Sequence, residues 1–170
     1  MTIHMIWAEA RDHVIGAEGG IPWRLPGEQA MFKQRTLGST VVMGRGTWES
    51  LPARVRPLPG RRNVVLTSRP LDGASLDKAS LDGVVAAASV DQVLAAYDDF
   101  WVMGGGAVYA AFLPFATHLV RTEVDLDVSG DTYAPAVDDW PGIPGEWQIT
   151  DTGVRWRVVE HLRAEAPRIA

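Results

Sequence analysis

The sequence predicts an α/β domain built on a mostly parallel sheet with an antiparallel C-terminal edge. Three observations carry this. Short apolar, β-branched stretches alternate with helical stretches through the first two thirds of the chain, the pattern of βαβ units. Two of those strands run straight into glycine, at Met43-Gly44 and at Met103-Gly104. The last third holds alternating strand-like stretches and little helix signal, as an antiparallel edge requires.

Thr2 to Ala8 reads as a short apolar strand, followed by a long loop over 9–26 punctuated by Gly16, Gly19, Gly20, Pro22 and Pro26. Glu28 to Leu37 reads as a helix that Gly38 stops. Thr40-Val41-Val42-Met43 is a buried strand, and a short helix runs from about Thr47 to Leu51. Residues 52–62, rich in Pro and Arg, form a loop before a strand over Asn63 to Thr67. Residues 68–83 read as a surface excursion. A strand at Val84 to Ala87, a helix at Val90 to Ala96, a strand at Phe100 to Met103 and a helix at Ala107 to Leu113 follow. His118 to Val124 and Arg155 to Leu162 alternate as sheet strands.

The 170 residues suit one domain, placed at 1–165 with a tail at 166–170. With 46% hydrophobic and 22% charged residues, the composition is that of a folded globular chain. No apolar run approaches a membrane span, and no secretory signal stands at the N-terminus. There is no cysteine, hence no disulfide, thiolate nucleophile or Cys-ligated metal, which agrees with a cytoplasmic location. A net charge of −5 argues against a general nucleic-acid binder. The charge is uneven, however: residues 1–70 carry ten Lys/Arg against five Asp/Glu, and residues 71–170 six against sixteen. A local anion site and mere variation among solvated faces both account for that.

Four places are candidates for chemistry. Gly104-Gly105-Gly106 lies between a buried strand and a helix start, where backbone without β-carbons can approach a diphosphate. The dinucleotide fingerprint itself fails, since its last glycine falls on Tyr109, and a plain tight turn is the alternative. Gly44-Arg45-Gly46-Thr47 repeats the strand–glycine–helix arrangement, and Leu66-Thr67-Ser68-Arg69 ends the next strand. Arginines there could fork onto a phosphate or simply sit at loop starts. Glu28 and Phe32 share one helix face, so Glu28 is either a partly buried acid of raised pKa or an ordinary first-turn carboxylate. The loop arginines Arg54, Arg56, Arg61 and Arg62 could hold a carboxylate or be a solvated surface. His4, His13, His118 and His161 have no metal-like spacing and read as incidental, and no metal site is expected.

Taken in order, Ile6-Trp7-Ala8, Val14-Ile15-Gly16, Ile21-Pro22-Trp23-Arg24-Leu25-Pro26, Glu28 with Phe32, Val42-Met43-Gly44-Arg45, Thr47-Trp48-Glu49-Ser50-Leu51, Arg56-Pro57-Leu58-Pro59-Gly60-Arg61-Arg62-Asn63, Gly104-Gly105-Gly106 with Tyr109, and Thr122-Glu123 span nearly the whole chain. The set resembles dihydrofolate reductase of the bacterial chromosomal type. The resemblance implies a central, mainly parallel eight-stranded sheet with flanking helices, and reduction of 7,8-dihydrofolate with NADPH. Glu28, Thr122 and Trp23 would be the catalytic set, with Glu28 promoting protonation of pterin N5 and Thr122 hydrogen-bonding its carboxylate. Ile6, Ala8, Gln29, Phe32, Leu51, Val55, Leu58, Met103 and Tyr109 would line the substrate, and Arg61 would pair with the α-carboxylate of its glutamate tail. Trp7, Ala8, Ile15, Gly16 and Ile21 would surround the nicotinamide end of the cofactor. Gly104, Gly105 (joined by a cis peptide), Gly106, Ala107, Val108, Met103 and Tyr109 would hold the diphosphate. Gly44, Arg45, Gly46, Thr47, Leu66, Thr67, Ser68 and Arg69 would hold the phosphorylated adenosine, which implies NADPH over NADH.

Residues 9–24 would be a loop over the site. A monomer that binds dihydrofolate and antifolates, with no nucleic-acid or membrane partner, is the corresponding expectation. The chain departs from most bacterial relatives in carrying Glu28 in place of Asp, Ala107 at an often polar position and Met103 where Ile is common. The alternatives are the related pyrimidine reductase of riboflavin synthesis and a non-catalytic dinucleotide-binding module.

Overall fold

The computed structural model describes residues 1–71 and 83–164. The tail at 166–170 and most of the 68–83 excursion lie outside the described residues.

The strands are β1 (Thr2–Glu9), β2 (Val14–Gly16), β3 (Thr40–Gly44), β4 (Arg62–Leu66), β5 (Val84–Ala87), β6 (Asp99–Val102), β7 (His118–Val124), β8 (Thr132–Tyr133), β9 (Gly142–Pro144), β10 (Gln148–Ile149) and β11 (Arg155–Leu162). The α-helices are α1 (Pro26–Thr36), α2 (Arg45–Ser50), α3 (Val90–Ala96) and α4 (Gly106–Phe112). The main sheet runs β10-β11-β7-β1-β6-β3-β4-β5, eight strands along its path, and β9 adds to β11 as a ninth. From β7 to β5 every pairing is parallel, while β11 meets β7, β9 and β10 antiparallel. The predicted parallel sheet with an antiparallel edge is therefore present. The small strands β9 and β10, and the separate β2–β8 pair, had no distinct signal in the sequence.

Local chemistry explains the elements. In β3, Thr40 to Met43 are all buried, as expected for a parallel strand covered on both faces. Pro26 sits at the start of α1, where its missing N–H costs nothing. Gly38, at φ +80, turns the chain after α1 in the left-handed conformation glycine adopts freely. Ser89 caps α3 by accepting from the Gln92 N–H at 3.2 Å, leaving one fewer unsatisfied donor.

The sheet carries a core on each face. Ile6, Val41, Met43, Val65 and Val120 pack with Trp48 of α2 and with Met31 and Phe32 of α1. Ile3, Met5, Val42, Val64, Phe100 and Val102 pack with Val93 of α3 and with Tyr109 and Phe112 of α4. A third group joins Leu25, Val124 and Trp156 with Ala8 and Trp23, seating the end of the 9–26 loop against β1 and β11.

Candidate active site

The site forms at the carboxyl ends of the central parallel strands, where open α/β sheets bind ligands. Gly44 ends β3, and Gly104 comes two residues after the adjacent β6. The Gly44 N–H donates to the Gly104 carbonyl at 2.8 Å, and the Met103 N–H to the Val42 carbonyl at 2.9 Å. The two glycine turns are thus stitched together. The Gly104–Gly105 peptide is cis, as the resemblance implied. Gly104 has φ +134, and a β-carbon on it would stand 3.1 Å from Thr47 Oγ1. A β-carbon on Gly44 would stand 3.0 Å from Val108 Cγ2. Thr47 and Val108 are therefore drawn onto bare backbone. Gly46, next to Arg45, has nothing within 4 Å of where its β-carbon would stand, and open bare backbone beside a guanidinium is what fits the anionic cofactor of the resemblance. At the mouth, Arg45 reaches Thr67 Oγ1 and the Pro70 carbonyl, each at 3.2 Å, and Glu49 at 2.9 Å. Leu66 is half-buried, while Gly46, Ser68, Arg69 and Ala107 are exposed around it.

Glu28 stands in the first turn of α1. Its carboxyl is pushed up to about 7, and burial is the cause. Removing a carboxylate from water disfavours its charged form, and no hydrogen bond or ion pair among the described residues offsets that. Of the two readings that the sequence left open, the buried acid is the one that the structure supports. Thr122, fully buried, lies on β7 level with Ala8 of β1 and Val158 of β11. The implied bond from Thr122 to Glu28 is not formed: Thr122 Oγ1 has no hydrogen-bond partner. Strand and helix are each held by their own ladders and packing, and both groups keep polar capacity to spare. A buried hydroxyl without a partner is costly, so this is a place where a ligand or water gains a bond. Trp7 Nε1 is likewise buried and unpartnered, its ring 5.0 Å from that of Tyr109. The Tyr109 hydroxyl donates to the Ile6 carbonyl at 2.7 Å, tying α4 to β1, and burial raises its pKa.

Ile6, Leu58, Phe32, Leu51, Val55 and Met103 gather in the same apolar cluster beside α1. Arg61, 3% exposed, donates Nη1 to Thr36 Oγ1 at 3.1 Å and Nε to the Pro59 carbonyl at 2.9 Å. Its guanidinium lies 6.0 Å from the Phe32 ring, and among the described residues it has no carboxylate partner. Burial lowers its pKa. The other loop arginines differ: Arg56 lies over Trp48, Arg62 donates to Thr40 Oγ1, and Arg54 is exposed. Ile15 and Gly16 are half-buried near Gly106. Ile21, 66% exposed, lies in the exposed 18–22 stretch that precedes buried Leu25, and Gln29 lies on an exposed position of α1. Gly16 and Glu18 are held by Asp131: its N–H donates to the Gly16 carbonyl at 3.0 Å, and its Oδ2 accepts from the Glu18 N–H at 2.9 Å.

The histidines, scattered in sequence, meet in two places in the fold. His4 stacks on Trp101 at 4.3 Å with His118 close by. His13 and His161 join a charged group around Glu9 and Arg121. The reason is tertiary: parallel register and the antiparallel return of β11 bring distant positions together. Among the described residues no group of acidic and histidine side chains could hold a metal.

Glycine turns at the ends of β3 and β6, beside an apolar cluster and one acid of raised pKa, are the features of an α/β protein with its site at the strand ends. A family model described as dihydrofolate reductase matches residues 2–155. The chain is 47% identical over 166 residues to the dihydrofolate reductase of Mycobacterium tuberculosis strain H37Rv, covering 95% of this chain and 98% of that protein. It is 42% identical over 170 residues to that of Mycobacterium leprae (96% and 99% covered) and 41% over 169 residues to that of Neisseria meningitidis strain MC58 (96% and 99%). The chain belongs to the dihydrofolate reductase family, whose members are NADPH-dependent oxidoreductases. The pyrimidine-reductase reading is not favoured by these matches. No helix among the described residues is long and apolar enough to cross a membrane.

Proposed function

We propose that this cleft reduces 7,8-dihydrofolate to tetrahydrofolate with NADPH, in the cytoplasm and as a monomer. The observation that carries the residue assignment is Glu28, an acid that burial alone pushes up to about 7. NADPH, when bound, supplies the hydride that passes to pterin C6. On the substrate side the chain's own residues have four tasks. Glu28 hydrogen-bonds the amino edge of the pterin and, being partly protonated near neutrality, promotes protonation at N5. Thr122 and Trp23 help seat that ring, and Ile6, Ala8, Phe32, Leu51, Val55 and Leu58 exclude water around it. Arg61, a buried cation without a carboxylate partner, takes the α-carboxylate of the tail, where a planar fork gives bidentate bonds.

The glycine side orients the cofactor through bare backbone at Gly44, Gly104, Gly105 and Gly106 beside Thr47 and Val108. Arg45, with Thr67, Ser68 and Arg69 around it, takes the 2′-phosphate, exchanging its present contacts for phosphate oxygens. Ile15 and Gly16 close the nicotinamide end.

The test is NADPH oxidation by the purified chain on addition of dihydrofolate, with NADH in parallel. Rapid turnover with NADPH and little with NADH is expected. Absence of turnover by folded protein would overturn the assignment, and equal use of NADH would overturn the phosphate role of Arg45.

A further inference from the structure

Glu9 is the last residue of β1 and only 4% exposed. Strand alternation turns it away from the face that carries Ile6 and Ala8, so the proposed chemistry makes no use of it. Its two carboxylate oxygens are both taken. Oε1 accepts from Arg121 Nη1 at 2.8 Å, and Oε2 lies 2.6 Å from His13 Nδ1. Arg121 is itself immobilised from three sides: Nη2 is 3.1 Å from Glu123, and Nε donates to His161 Nε2 at 3.2 Å. The carboxylate is thus anchored in the sheet on one oxygen and holds the loop on the other.

What it holds is an unusual piece of backbone. Asp12 and His13 are consecutive non-glycine residues at φ 59 and φ 62, a conformation uncommon for L-residues, though Asp and His adopt it more readily than most, and two in succession call for support from the surroundings. The turn is closed by the Ala10 N–H donating to the Val14 carbonyl at 2.9 Å, and the His13 carbonyl accepts from the Ala134 N–H at 2.9 Å. Val14–Gly16 then pairs with β8. Ile15 Cδ1 comes within 3.9 Å of where a β-carbon on Gly106 would lie. The other side-chain tie at this end of the loop, Arg11 to Asp125, has a carboxylate side chain 28% exposed against 4% for Glu9, so water screens it more.

We propose that Glu9 and His13 are positioning residues for the cofactor: Glu9, anchored by Arg121, grips His13 and fixes the left-handed turn that delivers Ile15 and Gly16 to the glycine side of the cleft. This rests on the reading that NADPH occupies that side. Loosening the grip lowers the fraction of molecules with the cofactor half formed, and apparent affinity falls by that fraction. Dihydrofolate, held from α1 and the Arg61 loop, is spared.

The experiment measures the NADPH dissociation constant of the full chain by quenching of tryptophan fluorescence, without dihydrofolate, alongside KM for dihydrofolate in the coupled reaction. His13→Ala removes a half-exposed ring and leaves the core intact. It is expected to weaken NADPH binding about five- to tenfold, the scale of one partly exposed charge-assisted bond. KM for dihydrofolate is expected to stay within about twofold, since no dihydrofolate contact changes. Glu9→Gln, which keeps shape and the bond from Arg121, is expected to weaken NADPH binding by about two- to threefold. The double variant is expected to be no worse than His13→Ala, because both act through one contact. Unchanged NADPH affinity in His13→Ala, effects that multiply in the double variant, or equal losses for both ligands would overturn the proposal. If the unaltered chain fails to bind NADPH, the cofactor reading falls with it; if it binds and the variants match it, only this inference falls.

Discussion

Glu28→Gln should stabilise the ligand-free protein while disabling it. In the folded chain burial raises the Glu28 carboxyl from 4.5 to about 7. The folded state therefore holds this proton more tightly than the unfolded chain does, and stability falls as pH climbs from about 4.5 to about 7, then levels. A rise of that size corresponds to about 3 kcal/mol at most. At pH 4 the acid is neutral in both states and glutamine, its neutral near-isostere, should change little. At pH 8.5 the variant escapes the cost of a buried, uncompensated carboxylate. For a domain of this size about 3 kcal/mol is a Tm gain of roughly 6–10 °C. The assay is thermal unfolding of wild type and variant at the two pH values without ligands, where contributions from other groups cancel in the difference. A gain that is absent at pH 8.5, or the same at both pH values, would refute the claim that burial governs Glu28. In the same variant NADPH affinity should hardly change, while hydride transfer near neutral pH should drop sharply.

Two further outcomes follow from other parts of the site. Arg61→Ala should raise KM for dihydrofolate by about 10- to 100-fold, the worth of a charge-assisted bond to carboxylate, with NADPH affinity unchanged; steady-state kinetics for each substrate checks this, and a matching loss for NADPH would count against it. His161 accepts from Arg121 at Nε2, and its Nδ1 lies 3.2 Å from the Trp140 carbonyl, a pattern that needs the neutral ring. Burial lowers its pKa, so its contribution is complete above about pH 6.5 and is lost as pH falls below that towards its lowered native value. Denaturant unfolding should therefore show His161→Gln gaining on wild type between pH 7.5 and 5.5, and a constant gap would contradict the assignment.

Much of the site was legible locally. The run Thr40-Val41-Val42-Met43 had to be a strand, and a glycine after it marked a strand end because little else tolerates so close a backbone approach. The same held for Gly104 to Gly106. The i, i+4 spacing put Glu28 and Phe32 on one helix face, as observed. The scattered loop arginines were less legible: composition made Arg54, Arg56, Arg61 and Arg62 alike, and only burial singles out Arg61.

What the sequence by itself determined was therefore the class of fold, the order of most elements and the places where backbone is bare, since these follow from side-chain shape over a few neighbouring residues. Tertiary structure alone decided the rest. The two-residue strand β10 and exposed β9 exist because β11 offers them an edge, not because their residues prefer it. Glu28 has a raised pKa because of what excludes water from it. Glu9 became an anchor because parallel pairing of β1 with β7 sets Arg121 beside it, 112 positions along the chain. Solvation and long-range pairing act through space, and a linear reading does not contain them.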